Sequence, residues 1–185
     1  REGGWVFTTR VVGAFANDWV AMRGEGVNAQ SMEQAAMQAC YPVGTLNLID
    51  EINMETALKS GKAARDDAKR EGTEPPAEHP AEVVMKKMVE ELDRPGKLQG
   101  KGFYEYPENG KKHLWSGLAD AFGGSKDMPF EDIKERMMFI ESLEAVKCFD
   151  EGVMDSVADA DIRSIFGIGF PCWTGWVRQS IHPSE

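Results

Sequence analysis

Residues 5–22 read WVFTTRVVGAFANDWVAM, and this stretch decides the fold class. Its apolar residues return at steps of three and four, as in Phe7, Val11 and Phe15. This spacing places one apolar stripe along a helix, which is typical of an amphipathic helix with a single buried face. The Gly-Glu-Gly sequence at 24–26 ends the pattern. The sequence therefore predicts a long helix at the start of the chain.

Apolar periodicity predicts further helices downstream. Asn28 is a suitable N-cap for a second helix, in which the apolar side chains again recur at helical spacing. The residues expected to be buried there are Met32, Ala35, Ala36 and Ala39. Later helices are predicted from about Ile49 toward Lys69, between Val83 and Leu92, and from Pro129 to about Val146. Residues 71–80 combine proline and glycine with charge, so they are predicted to form an exposed loop.

One segment has the pattern of a β-hairpin. The runs Phe103–Tyr106 and Lys112–Trp115 are rich in aromatic residues and flank Pro107-Glu108-Asn109-Gly110. An Asn-Gly pair between two such runs is a strong hairpin signal. We expect no other strands in the chain.

The pattern of the first helix occurs a second time. One shift of the numbering places Arg10 on Arg136, Glu25 on Glu151, Gly26 on Gly152 and Val27 on Val153. In both copies the Glu-Gly-Val stop precedes a capped helix. We therefore predict a first helical repeat over residues 1–122, a linker over 123–128 and a second repeat over 129–185. The second repeat is expected to be truncated, because it stops before its last helices would be complete.

Two features of the second copy lead to specific expectations. The buried residues of its long helix are predicted to be Ile133, Met137, Ile140, Leu143 and Val146. Asp18 and Glu144 fall at near-equivalent places in the two copies. We expect each of them to form an ion pair with a basic side chain rather than to act as an acid–base group, because the sequence shows no burial that would tune their pKa values.

The charge and cysteine content argue against several classes of function. The chain carries 31 Asp and Glu against 21 Lys and Arg, a net charge of -10, which disfavours binding to nucleic-acid phosphates. No apolar run approaches the length of a membrane span. Cys40, Cys148 and Cys172 are odd in number and far apart. We therefore expect neither a disulfide framework nor a zinc site, and a reducing compartment.

One cluster of basic residues has two interpretations. It comprises Lys59, Lys62, Arg65, Lys69 and Arg70, with acidic residues between them at about helical spacing. The preferred interpretation is a solvated helix face. The alternative is the rim of a pocket for an anionic ligand.

No catalytic or metal-binding set is recognisable. Gly100-Lys101-Gly102 and Gly167-Ile168-Gly169 begin like dinucleotide-binding turns, but Glu105 and Cys172 stand where the third glycine belongs. The three histidines, His79, His113 and His182, lack the spacing of metal ligands and are predicted to lie at the surface. Cys148 is predicted to be a buried, unreactive thiol. We therefore assign no catalytic, cofactor-binding or metal-binding residue.

Three segments together resemble one family. They are Phe7-Thr8-Thr9-Arg10, Tyr41-Pro42-Val43-Gly44 with Leu48-Ile49-Asp50-Glu51, and GKGFYEY over residues 100–106. The resemblance is to the C-terminal region of 3-hydroxyacyl-CoA dehydrogenases. In the second copy, Glu151-Gly152-Val153, Asp159-Ala160-Asp161-Ile162 and FGIGFP over residues 166–171 resemble the second helical repeat of the multifunctional fatty-acid oxidation α-subunits. The Thr-Thr-Arg form of the first motif resembles the mitochondrial trifunctional type.

The resemblance implies both a fold and an activity. The implied fold is all-α, with two related helical units like the C-terminal domain of 6-phosphogluconate dehydrogenase and one short β-hairpin in the first. The implied activity is NAD-dependent oxidation of an L-3-hydroxyacyl-CoA in fatty-acid β-oxidation. In this family an N-terminal Rossmann domain carries NAD and a catalytic His-Glu pair, and we expect neither in this chain. The isolated chain is therefore expected to be inactive.

The same resemblance suggests site residues and partners. Thr9 stands where many family members have an asparagine that assists the substrate, and Lys101 lies in the third motif; both are expected to contact the acyl-CoA substrate. Thr9 could instead serve only the helix itself. The expected partners are the NAD-binding domain, with a hydratase domain and a thiolase subunit as further candidates, in the cytoplasm or the mitochondrial matrix. The alternative function is a non-catalytic helical interaction or dimerisation module.

Overall fold

The computed structural model is mostly helical, as predicted. It describes residues 3–124 and 126–153, together with Ser156, Ala160, Ile162, Arg163 and Gly169. The helices are α1 (Gly3–Gly24), α2 (Ala29–Gln38), α3 (Thr45–Ile52), α4 (Met54–Glu71), α5 (Pro80–Lys86), α6 (Leu118–Phe122) and α7 (Phe130–Asp150). A π-helical turn, Lys87–Glu91, continues α5, and a 3-10 turn covers Lys97–Gln99. An all-α class with one small hairpin is confirmed.

The hairpin pairs β1 (Tyr104–Glu105) with β2 (His113–Leu114). The strands are antiparallel, with Tyr104 opposite Leu114 and Glu105 opposite His113. The prediction of a hairpin is confirmed, although each strand is shorter than the aromatic runs suggested. In the part of the chain that the structure describes, this is the only sheet.

The helices form two compact units. The first contains the described residues up to Asp18, Ser31–Gly44 and the described residues from Met128 onward. The second contains Trp19–Gln30 and the described residues of Thr45–Asp127. Each of these units combines segments that are distant in the sequence, whereas each predicted repeat is one continuous stretch of the chain.

The core of the first unit includes one face each of α1, α2 and α7. Its buried side chains include Phe7, Val11, Phe15, Met32, Ala35, Ala36, Ile133 and Met137. The buried faces depart from simple apolar stripes in two helices: Val6 of α1 is exposed, and the buried face of α7 continues through Glu141 and Ala145. The expectation that Ile140, Leu143 and Val146 are buried was therefore wrong, since they are only half-buried. The residue four positions after Met137 on the buried face is Glu141, and a charged residue is not predicted to be buried from the apolar pattern alone.

Two reciprocal ion pairs join α1 to α7 in this unit. Arg10 donates to Glu144 at 2.7 and 3.1 Å, and Arg136 donates to Asp18 at 2.8 and 2.9 Å. Arg10 also binds Glu151. The interpretation of Asp18 and Glu144 as ion-pair partners is confirmed. Because the shift that relates the copies places Arg10 on Arg136 and Asp18 on Glu144, each pair is the counterpart of the other, as at a two-fold interface.

The second unit corrects the prediction of one long third helix. The chain instead forms α3 and α4, which are separated at Asn53, where φ is 71°. The side chain of Asn53 accepts a hydrogen bond from the backbone N–H of Glu55 at 3.0 Å and so caps α4. A non-glycine residue at positive φ cannot continue a right-handed helix, so one predicted helix became two.

Other predictions for this region are confirmed. Residues 72–78 are exposed and non-helical, and α5 begins at Pro80. The basic face of α4 binds acidic side chains of the chain itself: Lys59 binds Glu55, Arg70 binds Asp67, and Arg65 makes a bidentate pair with Glu82. These contacts favour the helix-face interpretation over a pocket rim.

Two further results concern membrane spans and metal-ion sites. None of the helices in the described residues is long and apolar enough to cross a membrane. Within the same residues, no group of three or more His, Cys, Asp or Glu side chains could hold a metal ion. Asp159 and Pro171 of the second-copy motifs, together with Cys172 and His182, lie outside the described residues.

Candidate functional site

The loop that carries Lys101 is fixed by the carboxylate of Asp50. Asp50 lies on the buried face of α3 and is itself fully buried. It accepts hydrogen bonds from the backbone N–H groups of Phe103 and Tyr104, both at 2.8 Å, and from the hydroxyl of Tyr106 at 3.0 Å. A Cβ atom at residue 102 would overlap with this carboxylate, so the loop requires Gly102. One acidic side chain thus holds the whole GKGFYEY segment against α3.

Arg94 binds the same loop through its carbonyl groups. Its guanidinium donates to the backbone oxygen of Gly102 at 2.7 Å and to that of Tyr104 at 3.1 Å. It also forms an ion pair with Glu105 at 2.9 Å and lies over the ring of Trp115, 4.4 Å from the centroid. Asp50 therefore accepts from the N–H groups while Arg94 donates to the C=O groups, which leaves this short stretch of backbone well paired.

Burial dominates the protonation of Asp50. Removal from water raises the pKa of its carboxyl group to about 6. The hydrogen bonds from Phe103, Tyr104 and Tyr106 and the charge of Arg94 act in the opposite direction and limit the shift. At neutral pH the group is mostly ionised, and the negative charge faces donors on the loop.

Lys101 stands on this rigid loop with its ammonium group partly in solvent. Its side chain is 40% exposed and forms an ion pair with Asp93, which is itself largely exposed. A surface ion pair of this kind is weak and exchanges readily with other anions. The geometry is that of a cation held by a fixed backbone and available to an anionic or carbonyl-bearing ligand.

Thr9 lies in the first unit, whereas Lys101 lies in the second. Thr9 is exposed on α1, directly before Arg10, which binds Glu144 and Glu151. Its neighbour is therefore fixed in position while the threonine faces solvent. Within each unit the structure leaves the predicted residue accessible, and a substrate contact remains a prediction for both.

The described histidines and cysteines lie outside the loop that carries Lys101. His79 caps α5, since its Nδ1 accepts from the backbone N–H of Ala81 at 3.2 Å, and His113 is exposed. Cys148 is buried, and burial raises the pKa of its thiol, which fits the predicted unreactive cysteine. Cys40 is a free thiol at the surface.

Sequence reasoning missed Asp50 and Arg94, although a signal for Asp50 was present. Asp50 follows Leu46 by four residues and Ile49 by one, so the helical pattern places a charged residue on an apolar face. A buried carboxylate needs donors, and the donors of Asp50 lie more than 50 residues away in the sequence. Arg94 has no comparable signal, because it lies between the π-helical turn and the loop in a segment without periodicity.

The segment that runs from α1 to β1 matches a known family. The 3-hydroxyacyl-CoA dehydrogenase C-terminal domain matches residues 6–106, which is more than half of the 185-residue chain. The chain belongs to this family. The match to the 3-hydroxyacyl-CoA dehydrogenase C-terminal domain includes Thr9, Asp50, Arg94 and Lys101. The resemblance of the first three motifs to the C-terminal region of 3-hydroxyacyl-CoA dehydrogenases is thereby confirmed, and the chain is a 3-hydroxyacyl-CoA dehydrogenase-related domain.

Proposed function

We propose that this chain is the substrate-side helical part of an NAD-dependent L-3-hydroxyacyl-CoA dehydrogenase of fatty-acid β-oxidation, of the multifunctional, trifunctional-type class. In that reaction the C3 hydroxyl loses its proton, C3 transfers a hydride to NAD, and a 3-oxoacyl-CoA results. The observation that carries the proposal is the family match over residues 6–106, which includes both predicted substrate contacts.

The dinucleotide-like turn at residues 100–102 does not fit NAD. The Gly100-Lys101-Gly102 turn is followed by a strand of two residues, not by a helix whose N-terminus could bind a pyrophosphate. Its neighbouring backbone N–H groups, at Phe103 and Tyr104, already donate to Asp50. NAD is therefore assigned to a separate NAD-binding domain, which the proposal makes the principal partner of this chain.

Within this chain the proposal gives Lys101 and Thr9 the role of positioning the acyl-CoA. Lys101 can release Asp93 and bind an anionic group of the ligand, because the exchange of one exposed ion pair for another costs little free energy. The exposed hydroxyl of Thr9 can form one hydrogen bond. Neither residue is assigned a step in proton or hydride transfer.

A binding measurement tests the role of Lys101. Isothermal titration calorimetry of the chain with acetoacetyl-CoA should show binding that Lys101→Ala weakens about tenfold, a loss of about 1.4 kcal/mol. The matched control is Lys97→Ala, since Lys97 stands four residues away and pairs with Glu51 at 3.0 Å in the same exposed manner. Equal losses in both variants would mean general electrostatic attraction, and the assignment of Lys101 would then be abandoned.

A turnover measurement tests whether this chain needs an NAD-binding domain for dehydrogenase activity. With L-3-hydroxybutyryl-CoA and NAD, we expect no NADH from the 185-residue chain alone, and NADH production when an NAD-binding domain precedes it in one polypeptide. NADH formation by the chain alone would contradict the proposal, as would the absence of any turnover in the joined protein.

A second candidate is a non-catalytic dimerisation or interaction module. The reciprocal pairs of Arg10 with Glu144 and Arg136 with Asp18 support it, because they join two helices of similar sequence as subunits of a dimer are joined. The same pairs also support two repeats in one chain, packed face to face. Acyl-CoA binding that depends on Lys101 would favour the dehydrogenase, whereas a chain that binds no acyl-CoA would favour the module.

The proposal extends to the surroundings of the enzyme. The free thiol of Cys40 is compatible with a reducing compartment, for which we propose the cytoplasm or the mitochondrial matrix. A hydratase domain and a thiolase subunit are the partners proposed for the steps before and after the oxidation. Affinity purification of the full-length parent protein, followed by hydratase and thiolase assays, tests both.

A further inference from the structure

Arg23 is a buried cation without a carboxylate partner. It belongs to the second unit and is 1% exposed. Its guanidinium donates to the backbone oxygens of Val27, Leu118 and Gly123 at 2.8, 2.6 and 2.5 Å. Among the residues that the structure describes, no carboxylate binds it, and its Nε has no hydrogen-bond partner. Burial lowers the pKa of Arg23, with no acidic group acting against that change.

A cavity of about 270 Å³ adjoins Arg23 within the same unit. Its wall includes the polar residues Asn28, Gln30 and Ser116 and the apolar residues Trp115, Leu118 and Ala119. Ala29 and Gln30 also line it, and they are the first residues of the ten-residue helix α2. The positive end of the α2 dipole therefore lies at the cavity. No acidic side chain is among the described residues of the wall.

A second cation, Lys87, contacts the same aromatic ring as Arg23. Lys87 donates to the backbone oxygen of Ala121 at 2.7 Å, and its Nζ lies 5.2 Å from the centroid of Phe122. Arg23 approaches the same ring, at 5.6 Å. Among the described residues, Arg23 contacts the backbone carbonyl oxygens of Val27, Leu118 and Gly123 and the ring of Phe122, and it contacts no carboxylate. A buried charge with such partial compensation gains free energy when an anion binds near it.

We propose that this cavity binds a small oxyanion group, a phosphate or a carboxylate, through Arg23 and the N-terminal end of α2. The apolar part of the wall accommodates a short apolar body attached to that group. The volume lies just below the usual range of small-molecule sites, which is about 300 to 1,000 Å³, so the ligand is smaller than a whole cofactor. This site does not depend on the dehydrogenase function.

Calorimetric titration of the 185-residue chain tests the site with two probes, inorganic phosphate and acetate, in chloride buffer of constant ionic strength. We expect saturable binding of at least one probe. Arg23→Met should weaken it at least about tenfold. Because Arg23 also binds three carbonyl groups, a second variant leaves those bonds intact. Ala119→Leu adds bulk at an exposed position of the wall and should weaken binding by a similar factor.

The control variant is Lys126→Met. It removes one positive charge from the same unit, since Lys126 pairs with Glu25 outside the cavity wall, and it should change the affinity less than about twofold. Binding of phosphate alone assigns a phosphate-bearing ligand, and binding of acetate alone assigns a carboxylate. The proposal is overturned if neither probe binds saturably, or if Ala119→Leu binds as tightly as the unsubstituted chain.

Discussion

At the scale of single residues, Asp50 and Arg94 decide the shape of the candidate site. Each contributes several hydrogen bonds to backbone groups of Gly102, Phe103 and Tyr104, and both are nearly or fully buried. Lys101 owes its position to them, although neither contacts it directly through an observed hydrogen bond. Removal of one acceptor should cost more free energy than the net contribution of its hydrogen bonds, because it leaves buried donors without partners.

Asp50→Asn is expected to destabilise the second unit. The amide can accept from one backbone N–H only, so its NH2 group faces the other N–H, and the loss should be about 2 to 3 kcal/mol. Tyr106→Phe removes a single hydrogen bond from the same carboxylate and should cost about 1 kcal/mol. Urea unfolding of both variants measures the difference. Equal stability of Asp50→Asn and the unsubstituted chain would show that the carboxylate is not needed.

At the scale of elements, the break between α3 and α4 at Asn53 is the main departure from the predicted helices. Asn53 combines a positive φ with the capping bond to Glu55, and its Nδ2 donates to the side chain of Gln99 at 2.8 Å. Asparagine tolerates positive φ better than most residues because its short side chain bonds to the local backbone. Local periodicity on both sides of residue 53 remained helical, so the pattern alone could not reveal the break.

Substitutions of Asn53 separate the contribution of its capping hydrogen bond from that of its positive φ. Asn53→Ala should lower the free energy of unfolding by about 2 kcal/mol, because it loses the cap and places a Cβ at positive φ. Asn53→Gly relieves the backbone strain and should lower it by less than about 1 kcal/mol. Gln99→Ala controls for the side-chain hydrogen bond. Identical losses in the alanine and glycine variants would exclude a contribution from the backbone conformation.

At the scale of the whole molecule, one buried acid is expected to govern the response to pH. Glu141 of α7 is fully buried, and only its Oε2 has a partner, the hydroxyl of Tyr41 at 2.9 Å. Burial raises the pKa of its carboxyl group to about 8, and the hydrogen bond from Tyr41 opposes this shift. Between its usual pKa of 4.5 and about 8, the folded chain therefore binds this proton more tightly than the unfolded chain does.

The sign of the pH effect follows from that difference. Because the folded state holds the extra proton, the free energy of unfolding should fall as pH rises from about 5 to about 8. Glu141→Gln should remove this fall, since an amide of the same shape does not ionise. The measurement is urea unfolding at about pH 7.0, 7.5 and 8.0, a range above the raised pKa of Asp50 at about 6. An unchanged slope in Glu141→Gln would contradict the prediction.

The sequence by itself determined the all-α class, the hairpin, the exposed loop over residues 72–78 and the family, because periodicity, turn residues and short motifs are local properties of a chain. It also indicated that Arg10 and Arg136 occupy equivalent positions, and in the structure each forms an ion pair with an acidic residue of the other helix. Only the tertiary structure decided which groups meet across the chain. Asp50 and Arg94 reach residues 102–106, and Arg23 reaches the carbonyl oxygen of Leu118 in α6. The physical reason is that a buried polar group takes whichever partner the packing brings within hydrogen-bond distance, and no local pattern records that choice.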